Sequence, residues 1–205
     1  MMRQGLAQLI NNEPDLAASG EAESAQQALE LLTAARPDLV LVDISLPDKH
    51  GLELIKDIQV LHPGLPILVV SMHDESLYAE RVLRAGGRGY IMKQEGGKKM
   101  MQAIRTVLSG QIYVSEQMSA RILEIFSGRR SELSRSAIEK LTDREFEVFQ
   151  LIGQGKGTRQ VAEALHLSVK TVEVHRLHMK EKLAMPDAPA LVRYAVRWVE
   201  TQKVG

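Results

Sequence analysis

The chain has 205 residues, of which 44% are hydrophobic and 25% are charged, a composition typical of a globular protein with one or two domains. It contains no cysteine, which excludes disulfide bonds and thiolate metal sites and suits a reducing compartment such as the cytoplasm. No apolar run reaches the roughly 18 residues that a membrane span needs, and the start of the chain lacks the pattern of a signal peptide. We therefore expect no membrane partner.

The net charge of zero conceals a difference between the two parts of the chain. Residues 1–128 contain 12 Lys and Arg against 16 Asp and Glu, a balance of −4, whereas residues 129–205 contain 14 against 10, a balance of +4. A basic C-terminal part suits a polyanionic partner, although chance scatter of surface charge explains the difference equally well.

The first part of the chain alternates between strand and helix patterns. Short, β-branched and almost unbroken apolar runs predict strands buried on both faces, at residues 38–43, 67–71 and 89–92. Helical patterns lie around them, between Ser24 and Pro37 and at residues 52–61, 75–85 and 97–109. This alternation predicts an α/β fold with a doubly wound parallel sheet covered by helices.

Residues 127–140 are polar and charged and have no sustained apolar period, which predicts a linker. We therefore expect one domain over residues 1–126 and a second over residues 141–205. Strand patterns stop after the linker, and a capping box at Thr142–Glu145 opens the first of four helical patterns. The other three lie at residues 158–165, from Ser168 onward and after Asp187. Four short helices predict a compact all-α module.

Three polar residues stand at the ends of the predicted strands: Asp43, Ser71 and Lys93. The carboxyl ends of parallel strands meet at one rim of an open sheet, so a carboxylate, a hydroxyl and an ammonium group would converge there. A carboxylate can accept a phosphoryl group as an acyl phosphate, and the other two groups can bind the new charge. The alternative is that all three only cap strands and turns, but three at successive strand ends favour a site.

The segments VDISLPDKHGLELI and VVSMHDESLYAERVLRAGGRGYIMK resemble the receiver domains of two-component response regulators. The resemblance implies a flavodoxin-like fold in which Asp43 is the phosphoacceptor. It also implies that Ser71 follows the phosphoryl group and that Lys93 supplies the counter-charge. Tyr90 takes the position of the aromatic residue that changes rotamer on activation, and it also fits a half-buried aromatic residue of a strand.

The chain departs from the receiver pattern at its start. Receivers begin with an apolar strand that ends in two acidic residues, which hold the Mg²⁺ needed for phosphoryl transfer, whereas MMRQGLAQLI resembles the helix that follows this strand. We therefore expect an N-terminally truncated receiver that binds Mg²⁺ weakly, through Asp43 and the backbone carbonyl of Ser45. Two explanations stay open: a shortened form of a longer product, or a natural receiver that signals without phosphate.

The segment LTDREFEVFQLIGQGKGTRQVAEALHLSVKTVEVHRLHMKEKLAM resembles the LuxR/NarL-type helix-turn-helix, and the resemblance extends from Leu141 to about Trp198. Two helical patterns meet at a tight turn at residues 166–167, and in such motifs the second helix enters the major groove of DNA. On that second helix Val172, Met179 and Leu183 are predicted to point inward.

The remaining face of this helix is predicted to bind double-stranded DNA. The residues expected there are Lys170, Thr171, Glu173, Val174, His175, Arg176, Leu177 and Lys180. By resemblance, Lys170 and Thr171 contact the DNA backbone, while Glu173, Val174 and Leu177 lie at base-reading positions.

Two residue types on this helix have alternative interpretations. Glu173 either reads the exocyclic amine of a cytosine or is a solvated carboxylate that balances nearby Lys and Arg. His175 and His178 lie three residues apart, but no third ligand is near and no metal site is expected. His175 is expected to contact DNA or to help pack the helix.

The last helical pattern, at residues 190–199, has a wide apolar stripe. Leu191, Ala195 and Trp198 share one face, and three valines lie beside them. By resemblance, part of the stripe is a homodimer surface that places two recognition helices on a two-fold DNA site. The alternative is that Trp198 only fills the core of its own domain.

These patterns predict a cytoplasmic DNA-binding transcription regulator of a two-component system, with no enzymatic activity, that a partner histidine kinase switches by phosphorylating Asp43. The alternative is a phosphorylation-independent DNA-binding regulator whose first domain serves protein interaction. A third possibility, a phosphohydrolase with Asp43 as nucleophile, is disfavoured because such enzymes use a second acid two residues later, where this chain has Ser45.

Overall fold

The computed structural model describes residues 2–126 and 137–203. The chain divides into two compact units, Met1–Phe126 and Ser127–Gly205. None of the helices in the described ranges is long and apolar enough to cross a membrane.

The first unit contains a parallel sheet of three strands in the order β1-β2-β3. The strands are β1 (Val40–Val42), β2 (Ile67–Ser71) and β3 (Gly89–Met92). The helices are α1 (Met2–Asn11), α2 (Ala25–Ala35), α3 (Gly51–Leu61), α4 (Glu75–Arg84), α5 (Gly97–Leu108) and α6 (Glu116–Phe126). The predicted α/β fold with a parallel sheet is confirmed.

Both faces of this sheet are buried, as the unbroken apolar strands predict. The cluster on one face contains Leu68, Val70 and Ile91 from the sheet and Met100, Met101, Ala103, Ile104 and Val107 from α5. Leu6 and Ile10 of α1 pack against the same cluster. Val69 and Tyr90 are partners in the sheet register, and both are buried on the opposite face, since side chains alternate along a strand. The sheet is therefore held rigidly, and the carboxyl ends of its three strands meet at one edge.

Helix α6 was not predicted from the sequence. The hydroxyl of Ser115 accepts a hydrogen bond from the backbone N–H of Met118 at 3.1 Å and caps the helix, and the side chain of Met118 is buried. The backbone N–H of Ser115 in turn donates to Glu75 Oε1 at 2.8 Å, and Glu75 is the first residue of α4. The start of α6 is thereby attached to the start of α4.

Helices and the turns between them make up the described residues of the second unit, 137–203, which confirms the predicted all-α module. Its helices are α7 (Asp143–Gly153), α8 (Thr158–Ala164), α9 (Val169–Lys182) and α10 (Ala188–Lys203), preceded by a short 3-10 helix, Ala137–Lys140. Most of the predicted linker, residues 127–136, lies outside the described residues. Its last four residues form the 3-10 helix, in which Ile138 is buried because it adds to the apolar core.

The core of the second unit forms where α7 meets α10. Phe146 and Phe149 of α7 each pack edge-on against Trp198, with ring centroids 5.6 Å apart in both pairs. Trp198, which is half-buried, therefore contributes one side of its ring system to the core of its own unit. The two helices approach so closely at Gly153 that a Cβ atom there would lie 2.5 Å from the carbonyl oxygen of Ala195.

Candidate functional site

The three polar residues predicted at strand ends lie at one edge of the sheet. Asp43 directly follows β1, Ser71 is the last residue of β2, and Lys93 directly follows β3. Lys93 Nζ donates a hydrogen bond to Asp43 Oδ2 at 2.5 Å. The side chains of Asp43 and Lys93 are 29% and 15% exposed, so the carboxylate is accessible from solvent while its counter-ion is largely enclosed. Such an arrangement offers a nucleophilic oxygen beside a fixed positive charge.

The loop after Asp43 is held close to the carboxylate. The backbone N–H of Ser45 donates to Asp43 Oδ1 at 3.1 Å. Gly51, the first residue of α3, packs on the backbone of the same segment, and a Cβ atom there would lie 2.3 Å from the carbonyl oxygen of Asp43. Only glycine allows this approach, so Gly51 positions the loop that carries the candidate phosphoacceptor.

Ser71 and Tyr90 are connected through one residue, His73. The backbone N–H of His73 donates to Ser71 Oγ at 3.1 Å, and the hydroxyl of Tyr90 donates to the carbonyl oxygen of His73 at 2.8 Å. Tyr90 is only 1% exposed. Burial raises the pKa of Tyr90 well above its usual value, and a hydrogen bond with Ser71 acts in the opposite direction. Tyr90 therefore lies inside the unit as a neutral phenol.

The imidazole of His73 extends this network toward Asp43. Its Nε2 atom lies 3.0 Å from Ser45 Oγ, at hydrogen-bond distance, and its ring packs against Tyr78 with centroids 4.9 Å apart. His73 was missed in the sequence because its partners lie 28 positions before it and 17 positions after it. It links the loop of Asp43 to two of the predicted switch residues, Ser71 and Tyr90.

The predicted Mg²⁺ site, Asp43 and the backbone carbonyl of Ser45, has few ligands among the described residues. Within residues 2–126 and 137–203, no group of three or more His, Asp or Glu is arranged to hold a metal. The carboxylate of Asp43 already accepts hydrogen bonds from Lys93 and from the N–H of Ser45. Mg²⁺ is usually bound by one or two carboxylates together with phosphate oxygens and water, so one paired carboxylate and the carbonyl of Ser45 form a weak site.

In the second unit, α8 and α9 form a helix-turn-helix. The turn is made by His166, whose φ of 52° is in the left-handed region, and by the backbone N–H of Leu167, which donates to the carbonyl oxygen of Ala162 at 2.8 Å. Ser168 caps α9 by accepting a hydrogen bond from the N–H of Thr171 at 3.0 Å. Val172, Met179 and Leu183 are buried, so the predicted inward face of this helix is confirmed.

A buried carboxylate fixes α9 against α7. Lys182 Nζ donates to both carboxylate oxygens of Glu145, at 2.9 and 2.7 Å, and the backbone N–H of Thr142 donates to Glu145 Oε2 at 2.7 Å. Burial raises the pKa of Glu145, but these hydrogen bonds outweigh it and leave the pKa below its usual value. Glu145 thus completes the predicted capping box of α7 and also anchors the end of α9.

The residues predicted to bind DNA fall into two groups. Three of them contribute to the packing of α9. The hydroxyl of Thr171 bonds to that of Ser168, and Arg176 Nη1 donates to Thr158 Oγ1 at 3.2 Å. His175 is half-buried. Burial lowers the pKa of His175, so its imidazole is neutral at pH 7.

The other group faces solvent and consists of Lys170, Glu173, Val174, Leu177 and the half-buried Lys180. This outer face of α9 combines two cations, one carboxylate and two aliphatic side chains. Cations suit phosphates, while carboxylate and aliphatic groups suit the edges of bases.

Comparisons with known proteins identify a family for each part of the chain. The family model described as "Response regulator receiver domain" matches residues 1–105, and that described as "Bacterial regulatory proteins, luxR family" matches residues 139–195. The oxygen regulatory protein NreC of Staphylococcus carnosus is 31% identical over 201 residues, which cover 96% of this chain and 93% of that protein.

Two solved structures resemble the chain. A LuxR-family two-component response regulator from Aurantimonas is 31% identical, with a TM-score of 0.56 over 62% of this chain and 90% of that one. A structure of two RcsB dimers bound to two parallel DNAs is 25% identical, with a TM-score of 0.55 over 94% of this chain and 91% of that one.

Proposed function

Since the chain belongs to the two-component response regulators of the NarL/FixJ family, which are DNA-binding transcription regulators and not enzymes, we propose that phosphorylation of Asp43 switches its binding to DNA. The observation that carries this proposal is the hydrogen-bonded pair of Asp43 and Lys93, which follow β1 and β3 on either side of Ser71 at the end of β2. The residues in this arrangement suit the formation of an acyl phosphate.

The chemistry is a phosphoryl transfer to a carboxylate. An oxygen of Asp43 attacks the phosphorus of a donor, which is a phosphohistidine of a partner histidine kinase, and the bond from phosphorus to the donor breaks. Lys93 pairs with the charge of the new phosphoryl group, and the hydroxyl of Ser71 hydrogen-bonds to one of its oxygens.

The switch follows from an exchange of hydrogen bonds. When the hydroxyl of Ser71 turns to the phosphoryl group, its hydrogen bond with the backbone N–H of His73 weakens. The hydroxyl of Tyr90 is bonded to the carbonyl oxygen of the same residue. His73 lies two residues before the start of α4, to which α6 is attached through Glu75. A change at Asp43 is therefore conveyed to the helix that ends the first unit, as expected of a two-state element biased by phosphate.

On DNA we propose a homodimer that places two α9 helices in successive major grooves. RcsB, which shares the family and the fold, is described as dimers bound to DNA. Val192 and Val196 of α10 lie half-buried beside the buried Leu191 and supply an apolar surface for a second copy. As a DNA-binding regulator it would act in the cytoplasm.

Phosphoryl incorporation tests the role of Asp43. The full chain is incubated with a small acyl-phosphate donor and Mg²⁺, and its mass is measured. We expect one phosphoryl group in the native chain and none in Asp43→Asn. Asp38→Asn, an exposed residue just before β1, is the matched control and should be phosphorylated like the native chain. Incorporation in Asp43→Asn, or none in the native chain, would contradict the proposal.

The second candidate function is DNA binding that does not depend on phosphorylation. The lack of a fitting metal site among the described residues favours it. It predicts that no phosphoryl group is incorporated while the chain still binds DNA, so the same preparation distinguishes the two candidates when DNA binding is measured beside the mass.

A further inference from the structure

Glu173 is the unusual residue on the outer face of α9. Lys170 precedes it by one turn, and Lys180 follows it by two turns on the same helix. Within the part of the chain that the structure describes, the carboxylate of Glu173 forms no hydrogen bond or ion pair. The guanidinium of Arg176 is bonded to Thr158 instead. Glu173 is therefore a solvated carboxylate that is available to a ligand, and both of its interpretations from the sequence stay open.

An unpaired carboxylate on this face opposes DNA binding. It repels the phosphates that Lys170 and Lys180 attract, so it lowers the affinity for any DNA sequence. The repulsion is offset only where the carboxylate meets a hydrogen-bond donor in the major groove. The exocyclic amine of cytosine is the donor that glutamate accepts from.

Leu177 lies one turn after Glu173. Its side chain is 48% exposed, and it lines a shallow groove together with Ala188 and Leu191, which belong to α10. A helix rises about 6 Å over four residues, close to two base-pair steps of B-DNA. An exposed aliphatic group that is held by a second helix suits contact with the methyl group of thymine.

We infer that Glu173 and Leu177 determine the DNA sequence that this protein prefers: each half-site contains a cytosine bonded to Glu173 and, within about two base pairs, a thymine whose methyl group contacts Leu177. Both roles presuppose that α9 binds DNA, as proposed above for the whole chain. They deepen that function by naming the bases that α9 reads.

Binding-site selection tests the role of Glu173. The native full-length chain and Glu173→Ala are each used to select from a library of random DNA duplexes. We expect Glu173→Ala to lose the preference for one C·G pair per half-site, a discrimination of roughly 5- to 100-fold, and to keep the rest of the motif. Its affinity for random duplexes should rise, because a negative charge is removed.

Glu181→Ala is the matched control, since Glu181 is an exposed glutamate two turns further along α9. It should select the native motif. A native motif from Glu173→Ala, or the same loss of preference from both variants, would overturn the role of Glu173.

Base analogues test the role of Leu177. In a duplex with the selected motif, each thymine is replaced in turn by deoxyuridine, which lacks only the methyl group. We expect one replacement per half-site to weaken binding of the native chain by about fourfold, as for one buried methyl group, and to leave Leu177→Ala unaffected. Equal losses in both proteins, or no loss at any thymine, would overturn this contact.

The outcomes distinguish DNA binding by α9 from the assignment of the two bases to Glu173 and Leu177. If the native chain selects no motif and binds no duplex, DNA binding by α9 itself is wrong. If it selects a motif that Glu173→Ala and the deoxyuridine duplexes leave unchanged, only the assignment of the two bases is wrong.

Discussion

The functional residues of the two units differ in whether their side chains are hydrogen-bonded to other described residues. In the first unit the residues at the strand ends are bonded to one another: Asp43 to Lys93, and Ser71, Tyr90 and Ser45 to His73. On the outer face of α9, by contrast, Lys170, Glu173 and Lys180 make no side-chain hydrogen bond or ion pair with any described residue.

This difference separates a switch from a recognition surface. A phosphoryl group that enters the first unit has to exchange existing hydrogen bonds for new ones, and this exchange is what can transmit a signal. The outer face of α9 needs no such exchange, because its groups are already available to a ligand and the helix beneath them is fixed. The proposed switch therefore places the control of DNA binding in the first unit.

The largest expected effects come from the two glycines that allow close backbone contacts. In Gly51→Ala the new Cβ meets the carbonyl oxygen of Asp43 at 2.3 Å, and in Gly153→Ala it meets that of Ala195 at 2.5 Å. Because backbone atoms cannot move aside, each change should lower the free energy of unfolding of its own unit by about 2–3 kcal/mol.

Chemical denaturation can assign each loss to a unit. Trp198 is the only tryptophan of the chain, so its fluorescence follows the second unit, while circular dichroism follows both. Gly5→Ala, where no atom lies within 4 Å of the new Cβ, is the control and should be neutral or slightly stabilising. If Gly51→Ala shifts the Trp198 transition as much as Gly153→Ala does, the two units do not unfold separately.

Glu145→Gln tests whether the ion pair beneath α9 fixes the recognition helix. The variant loses charged hydrogen bonds from Lys182, which should lower the stability of the second unit by about 1.5–3 kcal/mol at pH 7. Because the folded-state pKa of Glu145 is lowered, its contribution is present above the unfolded-state pKa of about 4.3 and is lost as the pH falls through the folded value.

The midpoint of the Trp198 transition, measured from pH 7 down to pH 3, checks this pH dependence. The native chain should lose more stability than Glu145→Gln over this range. Glu163→Gln, at an exposed position of α8, should behave like the native chain. Parallel curves for the native chain and Glu145→Gln would show that this carboxylate does not anchor α9.

Lys93→Met tests whether the ion pair between Lys93 and Asp43 assists phosphoryl transfer to Asp43. The variant removes the ammonium group that bonds to Asp43, which should slow phosphoryl incorporation by roughly 10- to 100-fold, equivalent to about 1.5–3 kcal/mol for a charged hydrogen bond. Incorporation is followed by mass against time. Lys99→Met, which removes an exposed ion pair with Glu95, should keep the native rate. An unchanged rate in Lys93→Met would mean that Lys93 does not assist the transfer.

The smallest expected effect is that of Tyr90→Phe. It removes the hydrogen bond from the phenol hydroxyl to the carbonyl of His73 and the interaction of that hydroxyl with Ser71, so the first unit should lose about 1 kcal/mol in a denaturation experiment. We also expect a weaker effect of the phosphoryl donor on DNA affinity. A native response to the donor in Tyr90→Phe would exclude this hydrogen bond from the signal path.

The sequence predicts the parts of these sites that depend on local patterns. Unbroken apolar runs locate the strands, and strand direction then places Asp43 and Lys93 at the same edge. Helical spacing likewise identifies the inward residues of α9, such as Val172. In the sequence, Ser115 is a possible helix cap and is followed by apolar residues at helical spacing. This pattern is a signal for α6, although that helix was not predicted.

Contacts between distant segments could not be predicted in this way. The bond between Ser45 and His73 spans 28 residues and that between Glu145 and Lys182 spans 37, and neither leaves a periodic pattern in the sequence. The capping box shows one role of Glu145, but its second role depends on how α7 and α9 pack. The need for glycine at position 51 is likewise visible only when the backbone of Asp43 is in place.

The most direct test of the central claim is the affinity of the full chain for its selected DNA duplex, measured with and without a small acyl-phosphate donor and Mg²⁺, in the native chain and in Asp43→Asn. We predict that the donor raises the affinity of the native chain by roughly 5- to 150-fold, the usual range of coupling between two sites, and leaves Asp43→Asn unchanged. The same affinity under all four conditions would contradict a phosphorylation switch and leave a DNA-binding regulator controlled by other means.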